Sequence, residues 1–293
     1  IRDVAVTGVQ TCALPIFDRN GNIWIGERCG ANGCADNNVP PIIQLDANGK
    51  FLKTFGAGLL VIPHGIAVDR EGNVWVADQQ GKGAKGHVVI KFNSDGKVLM
   101  TLGKPGVAGT TEDTFNQPSD VIVAANGDIF VADGHGGDSN ARIVKFTKDG
   151  KFIKAWGKKG SGPGEFDTPH GLALDSQGRL FVADRSNNRV QIFDQDGKFI
   201  AEWKQFGRPS GIFIDANDTL YVADHQSNAK INPGIKRGIY IGSARDGTVR
   251  AFIPGLGADA ESTSVGEGVA ADAAGNVYMS ETGGMTVRKF LRK

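Results

Sequence analysis

Several residue types that would mark a protein class are scarce here. Only three cysteines occur in 293 residues, too few for a disulfide-built scaffold or a four-cysteine zinc module. Cys12 stands apart. Cys29 and Cys34 lie close together in ERCGANGC, where a small local disulfide and two free thiols are both open readings. No apolar run approaches the length of a membrane span. Charge is balanced, with 33 basic and 32 acidic residues for a net of +1. The basic excess or stripe of a nucleic-acid binder is therefore missing. What remains is a globular protein with neither nucleic acid nor membrane as partner.

Glycine is abundant, with 42 residues spread evenly among short runs of valine, isoleucine and phenylalanine. That mixture points to many short strands joined by tight turns. The beginning reads differently. RDVAVTGVQTCALPI, from Arg2 to Ile16, looks like translated sequencing adaptor of the kind found in metagenomic assemblies. Residues 1–16 are set apart on that ground from 17–293, which reads as one domain, and any signal peptide is taken as lost.

Internal repetition decides the fold class. HGIAVDREGNVWVAD begins at His64, SDVIVAANGDIFVAD at Ser119, HGLALDSQGRLFVAD at His170, SGIFIDANDTLYVAD at Ser210 and EGVAADAAGNVYMSE at Glu267. A partial copy, FDRNGNIWIGE, runs from Phe17 to Glu27. Each is an alternating strand, a polar turn with Gly or Asn, and a second strand ending in an acid. Most continue into another hairpin such as RIVKFTKDGKFIKAWG. Four short antiparallel strands at a period of about 40 to 55 residues make a propeller blade. Six copies predict an all-β, six-bladed propeller, because one such sheet cannot bury both of its faces alone. The last copy lacks a fourth strand, and Asp3–Val9 alternates well enough to supply it. The acids that end these motifs, Asp78, Asp133, Asp184, Asp224 and Glu281, read as structural groups that bond loop amides.

Runs such as Gly157–Trp203 identify the chain as similar to NHL-repeat propellers. Within that group it resembles the peptidyl-α-hydroxyglycine α-amidating lyases, best over Phe115–Phe146 and the run just named. The resemblance implies zinc at the end of the central channel on three histidines at the starts of inner strands. Two of them match His64 in VIPHGIAVD and His170 in DTPHGLALD; the third falls on Glu267, a departure. The lyase arginines match Arg28 and Arg185. The catalytic tyrosine falls on His135, a second departure, which makes that imidazole the candidate proton acceptor. An aspartate that partly holds a structural calcium in the family falls on Gly268. Zinc is the cofactor expected, with calcium as the alternative. Bacterial proteins of this kind tend to be exported, so a periplasmic or extracellular location is expected.

The repeat supports the same site on geometric grounds. His64, His170 and Glu267 hold one repeat position in blades two, four and six, about 120° apart around a six-fold ring. Two imidazoles and a carboxylate meeting on the axis, with a position left open, are a ligand set for a catalytic metal. Ser119 and Ser210, at the same place in blades three and five, are expected to ring the channel with hydroxyls. Arg28 and Arg185 break the repeat just after its acid and suit a bidentate grip on a substrate carboxylate. The Gly81–Gly86 stretch reads as a flexible loop or a lid. Three functions follow: a metal-dependent lyase acting as a monomer on a peptide or small molecule, a lactonase-like metal hydrolase, or a propeller that only binds.

Overall fold

The computed structural model describes the backbone of residues 3–7 together with residues 15–30, 33–255, 266–281 and 286–292. Each blade grows from the same local chemistry. The acid that opens a hairpin turn bonds back to the turn's own amides: Asp69 accepts from the backbone N–H groups of Glu71 and Asn73, from the Asn73 side chain and from Trp75 Nε1. Asp18 and Asp272 repeat the pattern in blades one and six. Gly72 closes that turn at φ +83°, a left-handed conformation that glycine adopts without steric cost.

Six four-stranded antiparallel sheets result, each ordered from the axis outward. Blade two is Pro63–Val68, Val74–Asp78, Val88–Phe92 and Val98–Leu102. The innermost strands of blades three to six are Pro118–Val123, Pro169–Leu174, Pro209–Ile214 and Gly266–Ala271. Proline is tolerated as the first residue of a strand, where no ladder hydrogen bond has begun. In blade one the inner strand is only Ile16–Phe17. The fourth strand of blade six is Asp3–Thr7, which pairs antiparallel with Thr286–Phe290. The ring thus closes by joining the two ends of the chain, as the alternation of this segment suggested; Gly8 and Val9 lie outside the described residues.

The core lies between blades. Trp75 and Val89 of blade two meet Phe115, Val131 and Phe146 of blade three, and Phe130 and Ala132 meet Phe166, Leu180 and Phe193. Burying each such large side chain stabilises the ring by about 1.5–3 kcal/mol. The acids that end the second strands of blades two to five anchor the loop that enters the blade's inner strand. Asp78 accepts from the amides of Val61 and Ile62, Asp133 from Asn116, Asp184 from Asp167 and Asp224 from Arg208. Each anchored amide lies a few residues before the position singled out in the repeat.

Candidate metal centre

A β-bulge is what aims these positions at the axis. Pro63 pairs with Asp78 and the ladder resumes at Ile66, so His64 is left out of it. Pro169 pairs with Asp184 and the ladder resumes at Gly171, skipping His170; Gly266 and Gly268 bracket Glu267 in the same way. The extra residue of a bulge is released from the pleat and its side chain is re-aimed. His135 arrives by another route, on a loop where Gly134, Gly136 and Gly137 all take positive φ. Its backbone N–H donates to Ser139 Oγ.

The ligand atoms of His64, His135, His170 and Glu267 all lie within 4.8 Å of one another. The rings of His64 and His170 stand 4.7 Å apart, those of His64 and His135 4.8 Å, and those of His135 and His170 5.0 Å. Glu267 Oε1 is 3.2 Å from His170 Nε2 and 3.9 Å from His64 Nε2. His64 Nδ1 lies 2.7 Å from the carbonyl oxygen of Ser119, and His170 Nδ1 lies 3.0 Å from that of Ser210. A carbonyl only accepts, so each Nδ1 carries the proton and each Nε2 is left as a bare lone pair.

That tautomer makes the Nε2 atoms of His64 and His170 converging acceptors beside the Glu267 carboxylate. The Nε2 atoms of His64, His135 and His170, and Glu267 Oε2, are buried with no hydrogen-bond partner. Buried acceptors facing one another at these distances repel unless a cation or proton stands among them. Burial is the main cause that holds His64 and His135 well below the usual imidazole range, and it takes His170 down to about 3. Burial by itself would raise Glu267. The neighbouring imidazoles of His170, His225 and His64 outweigh it and hold the carboxyl well below the usual range. Neutral imidazoles and an ionised carboxylate are the protonation states that a metal needs. The cluster fits a divalent ion.

Two arginines border it. Arg185, in the short 3-10 turn Arg185–Asn187, places Nη1 3.7 Å from Glu267 Oε1. Its turn is propped by Arg208, whose Nη1 donates to the Arg185 carbonyl. Arg28 is half-buried in blade one, and its charge acts on both His64 and His135. Four of the six residues singled out in the sequence thus share one point, with Arg185 beside it and Arg28 near enough for its charge to act on two of the rings. The serines differ from expectation. Ser119 Oγ is turned away from the channel onto the carbonyls of Ala132 and Pro169, and Ser210 Oγ bonds His225 Nδ1. His225 is the neighbour that sequence reasoning passed over. It follows Asp224 as Arg185 follows Asp184, and that equivalence was the available signal. The Gly81–Gly86 loop is pinned to blade one by Lys85 Nζ, which donates to the carbonyls of Ala35 and Gly58. Cys29 and Cys34 are joined in a disulfide just after Arg28.

Models of two known families match. One described as "NHL repeat" covers residues 166–193, and one described as "6-bladed beta-propeller" covers residues 109–179. The chain is a six-bladed β-propeller with an NHL-repeat match in its fourth blade. Human NHL repeat-containing protein 3 is 32% identical over 232 residues, or 78% of this chain and 60% of that protein. A probable peptidyl-alpha-hydroxyglycine alpha-amidating lyase of Caenorhabditis elegans is 36% identical over 185 residues, or 59% of this chain and 50% of that protein. The propeller chain thus spans 60% and 50% of these curated relatives. Among solved structures, a gluconolactonase from Xanthomonas campestris superposes with a TM-score of 0.66 at 16% identity, covering 97% of this chain and 88% of that one. At that identity the likeness concerns the fold.

Two measurable consequences arise here. A Cβ on Gly65 would meet the Ser119 carbonyl oxygen at 2.7 Å and the Asp120 Cα at 2.5 Å. That carbonyl holds the His64 ring. Gly65→Ala is expected to lower metal affinity about 10- to 100-fold, the usual cost of disturbing a ligand's supporting partner. Competition with a chromophoric chelator reads it, and an unchanged affinity would show that the bulge is free to shift. The second concerns acid. His170 binds its proton at about 3 in the native state against 6.5 as a free side chain. Between those values the unfolded chain takes up more protons, so native stability falls as pH drops from about 6.5 toward 3. The urea midpoint of chelator-treated protein should be lower at pH 5 than at pH 7.5. Equal midpoints would mean that these rings are open to water.

Proposed function

We propose that this propeller is a metal-dependent lyase that cleaves the C–N bond of a carbinolamide, a peptide or small molecule ending in an α-hydroxyglycine unit. The observation that carries the reading is the convergence of three imidazoles and a carboxylate, their ligand atoms within 4.8 Å of one another, beside Arg185. His64, His170 and Glu267 would hold the ion, and His135, whose Nε2 is sealed among them, is assigned here as a fourth donor rather than the proton acceptor. Zinc suits imidazole donors, and when bound it would polarise the substrate hydroxyl and lower its pKa. Arg28 and Arg185 would grip the substrate carboxylate and turn the hydroxyl-bearing carbon toward the cluster. Both arginines and the cluster belong to one chain, so the reaction needs only one. A monomer suffices.

The likeness to a protein named as an amidating lyase supports the same reading. The disulfide beside Arg28 favours an oxidising compartment, periplasmic or extracellular. No helix among the described residues is long and apolar enough to cross a membrane. The test is metal content together with turnover of benzoyl-α-hydroxyglycine to benzamide and glyoxylate. A metal-loaded protein that leaves this compound untouched removes the lyase and keeps the centre; a protein that binds no metal leaves a propeller that only binds.

One observation favours a second reading. Glu267 puts a carboxylate where the resembled lyases keep an imidazole, and oxygen donors suit harder cations such as calcium. A lactonase-like hydrolase is then the expectation, and a panel of lactones assayed with and without chelator decides it.

A further inference from the structure

His225 is the one imidazole at this centre that stands outside the ligand group. It leaves the second strand of blade five directly after Asp224, the register that puts Arg185 beside Glu267 in blade four. Its Nδ1 is tied to Ser210 Oγ, and the carbonyl of that same serine holds ligand ring His170. Ser210 therefore fixes the two rings relative to one another. The residue is partly exposed, whereas His170 is fully buried. Its Nε2 has no hydrogen bond among the described residues and is absent from the sealed acceptors formed by the three other rings. Glu267 on one side and Arg185, Arg208 and Arg237 on the other act on it electrostatically. Burial is the larger influence, and the ring's pKa falls to about 4, so it stands unprotonated at neutral pH.

We propose that His225 is the proton-transferring residue of the reaction, with Nδ1–H donating to Ser210 Oγ and Nε2 facing the substrate hydroxyl. This rests on the lyase reading above. Nε2 accepts the hydroxyl proton, and the oxygen's electrons form the carbonyl of glyoxylate. The C–N bond breaks with its electron pair going to nitrogen, which takes the proton back from the imidazolium to become the primary amide. One proton leaves and returns, and no co-reactant is needed. His135 is unsuited to this shuttle, because its sealed Nε2 points into the cluster. A positioned acid–base group contributes about 10²- to 10⁴-fold.

The experiment compares His225→Ala, His225→Gln and His135→Gln in the full chain. Both His225 variants should keep their metal stoichiometry and lose about 10²-fold or more in kcat. Added imidazole should restore part of the activity of His225→Ala, a rescue that a merely structural residue does not give. His135→Gln should instead lose metal. A kcat within threefold of wild type, or a loss that tracks metal content, overturns the assignment. Should the wild-type protein leave benzoyl-α-hydroxyglycine untouched, the lyase reading falls and His225 is judged by binding. Cobalt-loaded protein is titrated with an α-hydroxy acid and followed by its visible spectrum. Weakening by about three- to tenfold in His225→Gln, the worth of a hydrogen bond between neutral groups, supports His225 at the reacting hydroxyl. An unchanged affinity sinks it.

Discussion

The His64→Ala/His170→Ala double variant is expected to hold less than about a tenth of the wild-type metal and to lose activity by at least about 10³-fold, since a catalytic ion contributes several kcal/mol at about 1.4 kcal/mol per decade. Both side chains sit on bulges and belong to none of the apolar clusters between blades, so the fold should survive. The two Nδ1 bonds end on carbonyl oxygens that remain in place. Circular dichroism should superpose on that of the wild type while metal analysis diverges. The reverse outcome, full metal content in the double variant, would place the ion elsewhere and remove the basis of the proposed chemistry.

Substitution at Glu267 separates charge from shape. Glu267→Gln removes the carboxylate that stands among the three imidazoles, 3.7 Å from Arg185 Nη1, and so strengthens the repulsion that the arginine charge exerts on an incoming cation. Like charges in a buried site interact strongly. Metal affinity should fall by about 10²-fold or more, as for other losses of a charged partner inside a protein. Glu267→His restores an imidazole at that position and should retain about one ion per chain while losing the preference for an oxygen-loving cation. Zinc and calcium affinities of the three proteins read the result. If Glu267→Gln binds zinc as tightly as wild type, the carboxylate is a neighbour of the site and not a ligand.

Much of the fold was legible because a propeller repeats one local solution six times. Asp69, Asp175, Asp215 and Asp272 each open a turn, and Asp78, Asp133, Asp184 and Asp224 each anchor an entering loop. These contacts join residues near in sequence, so a repeated motif discloses them. His64, His170 and Glu267 shared a repeat position, and that equivalence brought them together on paper as it does in space. His135 was visible only as a histidine on a glycine-rich loop; its place beside the other rings depends on how Gly134–Gly137 curl, which no periodicity encodes. Ser119 and Ser210 were read as channel hydroxyls because their register is that of His64. Their short side chains instead find a carbonyl or an imidazole from a neighbouring segment.

The repeat by itself determined the number of blades, the order of strands and the register shared by His64, His170 and Glu267, since each follows from alternation and turn chemistry within about forty residues of chain. Tertiary structure decided the rest. Which proton a histidine keeps depends on the Ser119 and Ser210 carbonyls of the following blade, 55 and 40 residues away. The pairing of Asp3–Thr7 with Thr286–Phe290, which shuts the ring, links the two ends of the chain. Interactions between distant segments carry no local pattern, and at this centre they alone set how far apart the acceptor atoms stand.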